Sequence, residues 1–207
     1  MQRLIIGDIH GCWNELQTLI DQAGLSRDDE IIAIGDFVDR GPDSPRVLEF
    51  IQTQLNVRAL QGNHERKHIR SARDEVKAAL SQRITRQQLG DAYANALAFF
   101  ESLPLYFDFP EAIVVHGYWE PGLSIANQRE TVLAGTMGGE KHLRENYERP
   151  WYELYDSDKP IIVEVKLTDT LRTKVSVNLT SHVLGSGNPT SAKRLAIRTL
   201  LAVRDSE

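Results

Sequence analysis

Three short polar blocks follow three apolar runs at nearly equal steps along this chain. They are GDIHG at residues 7–11, GDFVDRG at 35–41 and GNHE at 62–65. Asp8 and Asp36 are 28 residues apart, and Asp36 and Asn63 are 27 apart. Such an interval holds about one strand, one helix and the turns that join them. The repeat predicts consecutive strand–helix units in which each strand ends in a turn that carries polar side chains.

The segments between the blocks support this arrangement. Residues 3–6, 30–34 and 57–60 are short apolar runs typical of buried strands, and apolar residues at helical spacing follow the first two. Gly24 predicts the end of the first helix, and Ser44-Pro45 predicts the start of the second. This alternation predicts an α/β (α+β) fold with a parallel sheet, whose right-handed crossovers bring the strand ends to one edge.

The later segments predict further elements of the same domain. We expect two helices, then a hairpin, then one more strand, in the segments 66–101, 105–116 and 159–165 respectively. Residues 166–207 differ, because they contain 7 Lys and Arg against 3 Asp and Glu, and no aromatic residue lies beyond Tyr155. We therefore expect a domain over 1–165 and a C-terminal tail over 166–207 of atypical composition, which is a degenerate or out-of-frame completion of that domain.

Composition excludes several classes of protein. The 207 residues suffice for one sizeable core, and the formal net charge of −5 argues against a general nucleic-acid binder or an anionic-membrane binder. The apolar runs are too short to span a bilayer, and no signal peptide is evident. The single cysteine, Cys12, excludes an intrachain disulfide and fits a reducing cytoplasm, where we expect the protein to act.

Metal-binding side chains are concentrated at the predicted strand ends. Asp8 and His10 follow the first strand, Asp36 the second and Asn63 the third, and His116 follows the apolar run 113–115. Carboxylate, imidazole and amide oxygen are suitable ligands for Mn²⁺, Fe or Zn²⁺. Because one carboxylate can bridge two cations, these residues predict a pair of divalent metals about 3.5–4 Å apart that activate a shared water.

Three further residues of the blocks suit phosphate chemistry. Arg40 offers a planar guanidinium for bidentate binding of phosphate. His64 directly follows a predicted ligand and could protonate a leaving alkoxide, and Asp39 could hold that imidazole charged and oriented. These residue types together predict hydrolysis of a phosphate ester.

One other motif competes for His64. Residues 64–68 read HERKH, which matches the HExxH pattern of zinc proteases. That interpretation requires His64 inside a helix and leaves the first two blocks without a role, so we do not favour it. His68, His142 and His182 lie in polar stretches and are expected at the surface.

The three blocks together resemble the phosphoprotein-phosphatase family of metallophosphoesterases, which includes Ser/Thr protein phosphatases and symmetrical diadenosine-tetraphosphate hydrolases. The similarity runs from about residue 3 to residue 163 and implies a calcineurin-like β-sandwich flanked by helices, with metals at the carboxyl ends of the strands. It assigns residues to both metals, to the general acid with its partner, and to phosphate binding. The first metal takes Asp8, His10 and Asp36; the second takes Asp36, Asn63 and His116; His64 pairs with Asp39, and Arg40 binds phosphate.

The resemblance fails at one expected ligand. The family has a Gly-His pair after a strand such as 159–163, and the His completes the second metal site, whereas here Val163 is followed by Glu164. Three interpretations stay open. Glu164 replaces the His as an oxygen ligand, His182 supplies the ligand through a rearranged loop, or the tail is degenerate and leaves a weak second site; the last is our leading expectation.

The expected activity is metal-dependent hydrolysis of a phosphomonoester, as in phosphoserine and phosphothreonine protein phosphatases. The alternatives are a symmetrical dinucleoside-polyphosphate hydrolase and a catalytically impaired, phosphatase-like binding protein that lacks the sixth metal ligand. The expected partner is accordingly a phosphorylated protein or a nucleotide, with no nucleic acid and no membrane. The expected cofactors are two divalent metal ions, foremost Mn²⁺, with Fe or Zn²⁺ as alternatives.

Overall fold

The computed structural model describes residues 2–164 and the backbone of the strand 181–184. The first half contains strands β1 (Arg3–Ile6), β2 (Glu30–Ala33) and β3 (Val57–Ala59) and helices α1 (Trp13–Ala23), α2 (Ser44–Thr53), α3 (Asn63–Ala72), α4 (Leu80–Leu89) and α5 (Tyr93–Ser102). The second half contains strands β4 (Tyr106–Asp108), β5 (Ile113–Val115), β6 (Ile161–Ile162) and β7 (Ser181–Leu184) and helices α6 (Glu130–Leu133), α7 (Met137–Asn146) and α8 (Trp151–Leu154). Short 3₁₀ turns lie at Gly90–Ala92 and Ile125–Asn127.

The strands form two sheets. The first has the order β3-β2-β1-β7, in which β1, β2 and β3 are parallel and β7 is antiparallel to β1. The second has the order β4-β5-β6, with an antiparallel β4–β5 pair and a parallel β5–β6 pair. The predicted parallel βαβ arrangement and the predicted hairpin are therefore confirmed.

Alternate residues of the central strands pack on opposite faces of the first sheet. Ile5 and Ile32 lie in one buried cluster with Val114 and Ile162 of the second sheet. Their neighbours, such as Leu4, lie in another cluster with side chains of the helices. The sheets consequently face each other with helices outside, which confirms the calcineurin-like sandwich. Each fully buried aliphatic side chain contributes about 1.5–3 kcal/mol to this core.

Helix ends follow the sequence signals. Gly24 ends α1 in the left-handed conformation with φ of 59°, which costs glycine little because it has no β-carbon. Asp43 caps α2 by accepting a hydrogen bond from the amide of Arg46, and Pro45 occupies the first turn of the helix. These two helices are the crossovers that connect β1 to β2 and β2 to β3.

Two elements differ from expectation. The segment 66–101 contributes to three helices rather than two, because residues 73–79 separate α3 from α4 and a 3₁₀ turn separates α4 from α5. Helix α3 also begins earlier than expected, at Asn63 within the third block. The strand expected over 159–165 is limited to Ile161–Ile162 in the described residues. Apart from the backbone of Ser181–Leu184, the expected tail lies outside the described residues. Within the part of the chain that the structure describes, no helix is long and apolar enough to cross a membrane.

Candidate active site

The three blocks meet at the carboxyl ends of β1, β2 and β3. The amides of Ile9 and His10 donate to the carbonyl of Asp36 over 3.1 and 2.9 Å, which joins the first block to the second. The amide of His64 donates to Oδ1 of Asp36 over 2.9 Å, which joins the third block to the second. Asp36 therefore lies at the centre of the site, as the parallel topology predicts.

The predicted metal ligands lie together around Asp36. Two sets of ligand atoms each lie within 4.8 Å of one another and share Asp36: His10 with His64 in one, and Asp8 with His116 in the other. Nε2 of His10 is 3.2 Å from Oδ2 of Asp8. The structure thus brings carboxylates and imidazoles into one cluster that can hold more than one cation.

Asn63 adds a neutral oxygen to this cluster. Its Oδ1 lies 3.1 Å from Nε2 of His116, and that imidazole nitrogen is 3.5 Å from Oδ1 of Asp36. Asn63 is the first residue of α3, so the start of the helix fixes the direction of its side chain. All five predicted ligands consequently lie in one place.

Two imidazoles are oriented by backbone carbonyls. Nδ1 of His116 donates to the carbonyl of Ile34 over 2.8 Å, and Nδ1 of His10 donates to the carbonyl of Val38 over 2.9 Å. With the proton on Nδ1, each ring directs the lone pair of Nε2 toward the carboxylates. A hydrogen bond on the far nitrogen is what a metal-binding imidazole needs to fix its tautomer and orientation.

The polar atoms of the site fit divalent cations. Oδ1 of Asp8 is buried and has no hydrogen-bond partner among the residues that the structure describes. Burial opposes ionisation of Asp8, but its close contact with His10 and the neighbouring basic groups His116 and Arg40 outweigh burial and lower its pKa. An ionised, buried oxygen without a partner is costly, and a bound cation removes that cost.

Backbone strain is concentrated in the same loops. His10, Asp36, Asp39 and Arg40 have φ values of 47°, 49°, 71° and 65°, and Asp74 is the fifth non-glycine residue with positive φ in the described part of the chain. A non-glycine residue in this region costs on the order of 1–3 kcal/mol. Four such residues in these loops impose a local cost in stability at the place where the three blocks meet.

Glu65 stabilises this strained loop through hydrogen bonds to its backbone. The sequence analysis assigned Glu65 no role. Its carboxylate accepts hydrogen bonds from the amides of Asp36 (2.9 Å), Phe37 (3.1 Å), Val38 (3.4 Å) and Gly62 (3.0 Å). Its side chain is fully buried. Burial and the neighbouring charge of Asp36 raise the pKa of Glu65 to about 6. The signal was available, because a Glu three residues after a helix N-cap is a capping pattern, and here the N-cap is Gly62.

Arg40, His64 and Asp39 form a second polar group beside the ligands. The Arg40 guanidinium donates to Nε2 of His10 over 2.9 Å and to Nε2 of His64 over 3.1 Å. Nδ1 of His64 donates to Oδ2 of Asp39 over 2.6 Å. Burial opposes ionisation of Asp39, yet hydrogen bonds from His64 and His68 hold its pKa well below the usual range. The carboxylate therefore stays charged behind the imidazole.

The HExxH interpretation does not fit this geometry. His64 and His68 do lie one turn apart on α3, but the carboxylate of Asp39 lies between their rings, with Oδ1 2.9 Å from Nε2 of His68. The intervening Glu65 faces backbone amides instead of a metal. The two imidazoles consequently clamp a carboxylate and form no zinc-protease site.

Of the three histidines expected at the surface, one is buried and one is partly exposed. His68 was expected to be exposed, and this is wrong, because only 1% of it is accessible. His142 is half-buried, with Nε2 2.9 Å from Oε1 of Glu120. The side chain of His182 lies outside the described residues. The sequence around His68 is polar, so it did not indicate that this residue lies on the buried face of α3.

Glu164 lies at the edge of the ligand cluster. Its amide donates to the carbonyl of His116 over 2.9 Å, and its Oε2 is buried without a hydrogen-bond partner among the described residues. Burial, together with the charges of Asp8 and Asp36, raises the pKa of Glu164 to about 9. Glu164 stands where the family has its Gly-His pair, and it thus brings a carboxylate oxygen beside the other candidate ligands.

Comparison with known proteins identifies the family. The model of the Calcineurin-like phosphoesterase family matches residues 1–184. A symmetrical bis(5′-nucleosyl)-tetraphosphatase of Erwinia tasmaniensis is 41% identical over 93 residues, which are 44% of this chain and 32% of that protein. The asymmetrical bis(5′-nucleosyl)-tetraphosphatase PrpE of Halalkalibacterium halodurans is 30% identical over 185 residues, with 76% of this chain and 75% of that protein covered. The chain thus spans about a third of the first relative and three quarters of the second.

A solved structure supports the fold. A candidate diadenosine tetraphosphatase superposes with a TM-score of 0.62 at 21% identity, over 78% of this chain and 73% of that one. The resemblance to phosphoprotein phosphatases drawn from the three blocks agrees with these matches. The chain belongs to the calcineurin-like phosphoesterase family, a family of metallophosphoesterase hydrolases.

Proposed function

We propose that this protein is a metal-dependent phosphoesterase that hydrolyses the polyphosphate bridge of a dinucleoside polyphosphate. The observation that carries the phosphoesterase chemistry is the shared position of Asp36 in two sets of candidate ligands, beside the His64–Asp39 pair. The substrate class is supported by relatives named bis(5′-nucleosyl)-tetraphosphatases. These relatives favour the dinucleotide alternative over the phosphoprotein substrate that was our leading expectation.

The ligand cluster would hold the cations. Asp8, His10 and Asp36 would bind one, and Asp36, Asn63 and His116 the other. When bound, divalent cations polarise phosphate oxygens and lower the pKa of a water molecule that attacks phosphorus. Mn²⁺ suits this mixture of oxygen and nitrogen donors, as do Fe and Zn²⁺.

The second polar group would act on the substrate. Arg40 contributes a guanidinium that can turn from the two imidazoles to phosphate oxygens and bind them in bidentate fashion. Hydrolysis forms a bond from phosphorus to the water oxygen and breaks the bond to the leaving oxygen. Protonated at Nε2, His64 gives that proton to the leaving oxygen, and the charged carboxylate of Asp39 stabilises the imidazolium through Nδ1.

The direct test measures products from two substrate classes. The purified protein with Mn²⁺ is incubated with diadenosine tetraphosphate or with a phosphoserine peptide, and nucleotides and phosphate are separated by chromatography. We expect hydrolysis of the dinucleotide with the higher kcat/KM. Two ADP molecules would identify symmetrical cleavage, and AMP with ATP would identify asymmetrical cleavage. A phosphopeptide preference of about tenfold or more, which is about 1.4 kcal/mol in the barrier, would reject the dinucleotide assignment.

Two variants separate site chemistry from folding. Asp36→Asn removes the shared carboxylate and should reduce Mn²⁺-dependent hydrolysis to background, whereas Asp91→Asn changes an exposed residue of a 3₁₀ turn and should leave it unchanged. Circular dichroism of both variants verifies the fold. Near-normal activity of Asp36→Asn would show that the two-metal assignment is wrong.

Metal content tests the binding-protein alternative. We expect two metals per chain together with turnover. One metal or none, without turnover on any phosphate ester, would favour a phosphatase-like binding protein over an enzyme.

A further inference from the structure

His68 has two hydrogen-bond partners deep in the protein. Its Nε2 is 2.9 Å from Oδ1 of Asp39, and its Nδ1 is 3.0 Å from the hydroxyl of Tyr93. Only 1% of His68 and none of Asp39 is exposed. The other carboxylate oxygen of Asp39 is 2.6 Å from Nδ1 of His64. Asp39 therefore binds one histidine through each oxygen.

One arrangement of protons satisfies all four groups. The Tyr93 hydroxyl donates to Nδ1 of His68, Nε2–H of His68 donates to Oδ1 of Asp39, and Nδ1–H of His64 donates to Oδ2. Arg40 has only donors, so its contact with Nε2 of His64 requires that nitrogen to accept, in agreement with a proton on Nδ1. The chain of hydrogen bonds thus runs from Tyr93 to Nδ1 of His64, on the side of the ring opposite the Nε2 that faces the site.

Asp39 depends on this support. Its backbone lies in the left-handed region with φ of 71°, and its amide donates to Oγ of Ser44 over 3.2 Å. The Thr85 hydroxyl, 3.5 Å from Oγ of Ser44, also helps to keep the pKa of this carboxylate low. Without His68, an oxygen of a fully buried carboxylate would lose its only imidazole donor. Because an underbonded buried carboxylate reorients or draws in water, the direction of Oδ2 would no longer be fixed.

We propose that His68 is a positioning residue, which locks the Asp39 carboxylate so that His64 presents Nε2 to the leaving group. The inference deepens the proposed function, on which it rests, and gives a role to the second histidine of the HERKH segment. His68 touches no reacting atom. Its effect passes through the Asp39 carboxylate, which binds His68 through Oδ1 and His64 through Oδ2.

Leaving-group dependence is the readout that a merely structural residue would not change. A weakly basic leaving group such as 4-nitrophenolate departs without a proton, whereas phenolate, which is more basic, needs one. For His68→Leu we expect kcat to fall about 10- to 100-fold with phenyl phosphate and less than about threefold with 4-nitrophenyl phosphate, since general-acid catalysis contributes about 10²–10⁴-fold in total. KM should not change for either substrate.

A conservative variant and a matched control complete the kinetic test. The side-chain amide of His68→Gln can still donate to Asp39 and should restore phenyl phosphate turnover to within a few-fold of the wild type. His142→Leu removes another imidazole that contacts a buried carboxylate, Glu120, away from the proposed catalytic group, and should lower stability without changing the dependence on leaving group. Equal losses on both aryl phosphates in His68→Leu, or no rescue by His68→Gln, would overturn the proposal.

A second measurement needs no turnover. Proton NMR detects the downfield resonance of the proton between Nδ1 of His64 and Asp39, identified by its loss in Asp39→Asn. We expect this resonance in the wild type and in His68→Gln, and its loss through exchange with water in His68→Leu. A folded His68→Leu protein that keeps the resonance would overturn the positioning role. The wild type could show the resonance and its dependence on His68 and yet fail to hydrolyse diadenosine tetraphosphate. That result would reject only the proposed substrate.

Discussion

Gly62 packs so closely on Asp36 that a β-carbon built on Gly62 would lie 2.3 Å from Oδ1 of the carboxylate and 2.6 Å from the Asp36 amide nitrogen. No β-carbon is accommodated at such distances, and the backbone atom cannot swing aside as a flexible side chain could. The glycine of GNHE is therefore required by the lack of space beside Asp36, the shared candidate ligand. Its φ of −89° is accessible to any residue, so conformation is not the reason.

Gly62→Ala should weaken metal binding. The added methyl group displaces the Asp36 carboxylate, and loss of the support around a metal ligand typically costs about 10–100-fold in affinity. Titration with Mn²⁺ by isothermal calorimetry measures the effect. Gly138→Ala is the matched control, because a β-carbon there meets nothing closer than 3.8 Å. The control should bind Mn²⁺ normally, and equal affinity of the two variants would contradict the steric argument.

Glu65→Gln should destabilise the fold although the two side chains have nearly the same shape. The carboxylate of Glu65 accepts four backbone hydrogen bonds, and a side-chain NH₂ in place of one oxygen would face N–H donors. A buried donor left without a partner costs about 1–3 kcal/mol. Urea denaturation at pH 7.5, where most of this carboxylate is ionised, should show a loss of that size.

The control for this measurement is Glu75→Gln. Glu75 pairs with Arg70 over 3.0 Å, and both side chains are 45% exposed. An exposed pair of this kind contributes about 0–1 kcal/mol. If Glu65→Gln were no more destabilising than Glu75→Gln, the strained loop would have to be held by other groups.

The first-half topology and the five candidate ligands could be predicted from sequence because each rests on a local pattern. Apolar runs such as 30–34 indicate strands, and the handedness of the crossovers then places the following polar residues at one edge. Asp8 and Asp36 are more than twenty residues apart in sequence, yet topology alone brings them together.

The supporting residues could not be found in the same way. Helix α3 buries Glu65, His68 and Ile69, at the i, i+3 and i+4 spacing of one helix face. Periodicity analysis looks for apolar residues on the buried face, and two of these three are polar. Their partners are strained loop amides and Asp39, which only the folded chain provides. The absence of the expected Gly-His pair was visible in sequence, but the position of Glu164 beside Asp8 was not.

Glu164→Gln should weaken binding of the second metal. Oε2 of Glu164, which is buried beside the ligand cluster and has no hydrogen-bond partner among the described residues, is suited to bind a cation. An amide is a poorer metal ligand than a carboxylate. Equilibrium dialysis against Mn²⁺ followed by elemental analysis should give two metals per wild-type chain. The variant should retain one, or bind the second about 10–100-fold more weakly, as loss of a supporting group does.

Two further variants distinguish the three interpretations of the missing histidine. Glu164→His supplies the imidazole and should keep two metals, and His182→Gln should have no effect. Loss of the second metal in His182→Gln alone would assign the ligand to His182. A wild type that binds a single metal would instead favour a degenerate second site.

Asp29→Asn should reduce stability in a pH-dependent manner. The buried carboxylate of Asp29 accepts hydrogen bonds from the amide of Gln2 (2.5 Å) and from the amide and hydroxyl of Ser26 (2.9 and 2.7 Å), which ties the turn before β2 to the start of β1. The Gln2 and Ser26 hydrogen bonds lower the pKa of Asp29 to about 2. The asparagine variant keeps one oxygen and cannot ionise, so it should unfold at a lower urea concentration at pH 7.

The difference in stability between the wild type and Asp29→Asn should decrease at acidic pH. A group whose pKa is lowered in the folded state stabilises the fold fully above its ordinary pKa, which is about 4 for Asp, and loses that contribution as pH falls toward the folded value. The difference in urea midpoint should therefore be constant from pH 7 to 5 and shrink between about pH 4 and about pH 2. The neighbouring exposed Asp28, changed to Asn, should show no such trend. A gap that stayed constant down to pH 3 would mean that the ionised carboxylate of Asp29 does not hold the turn.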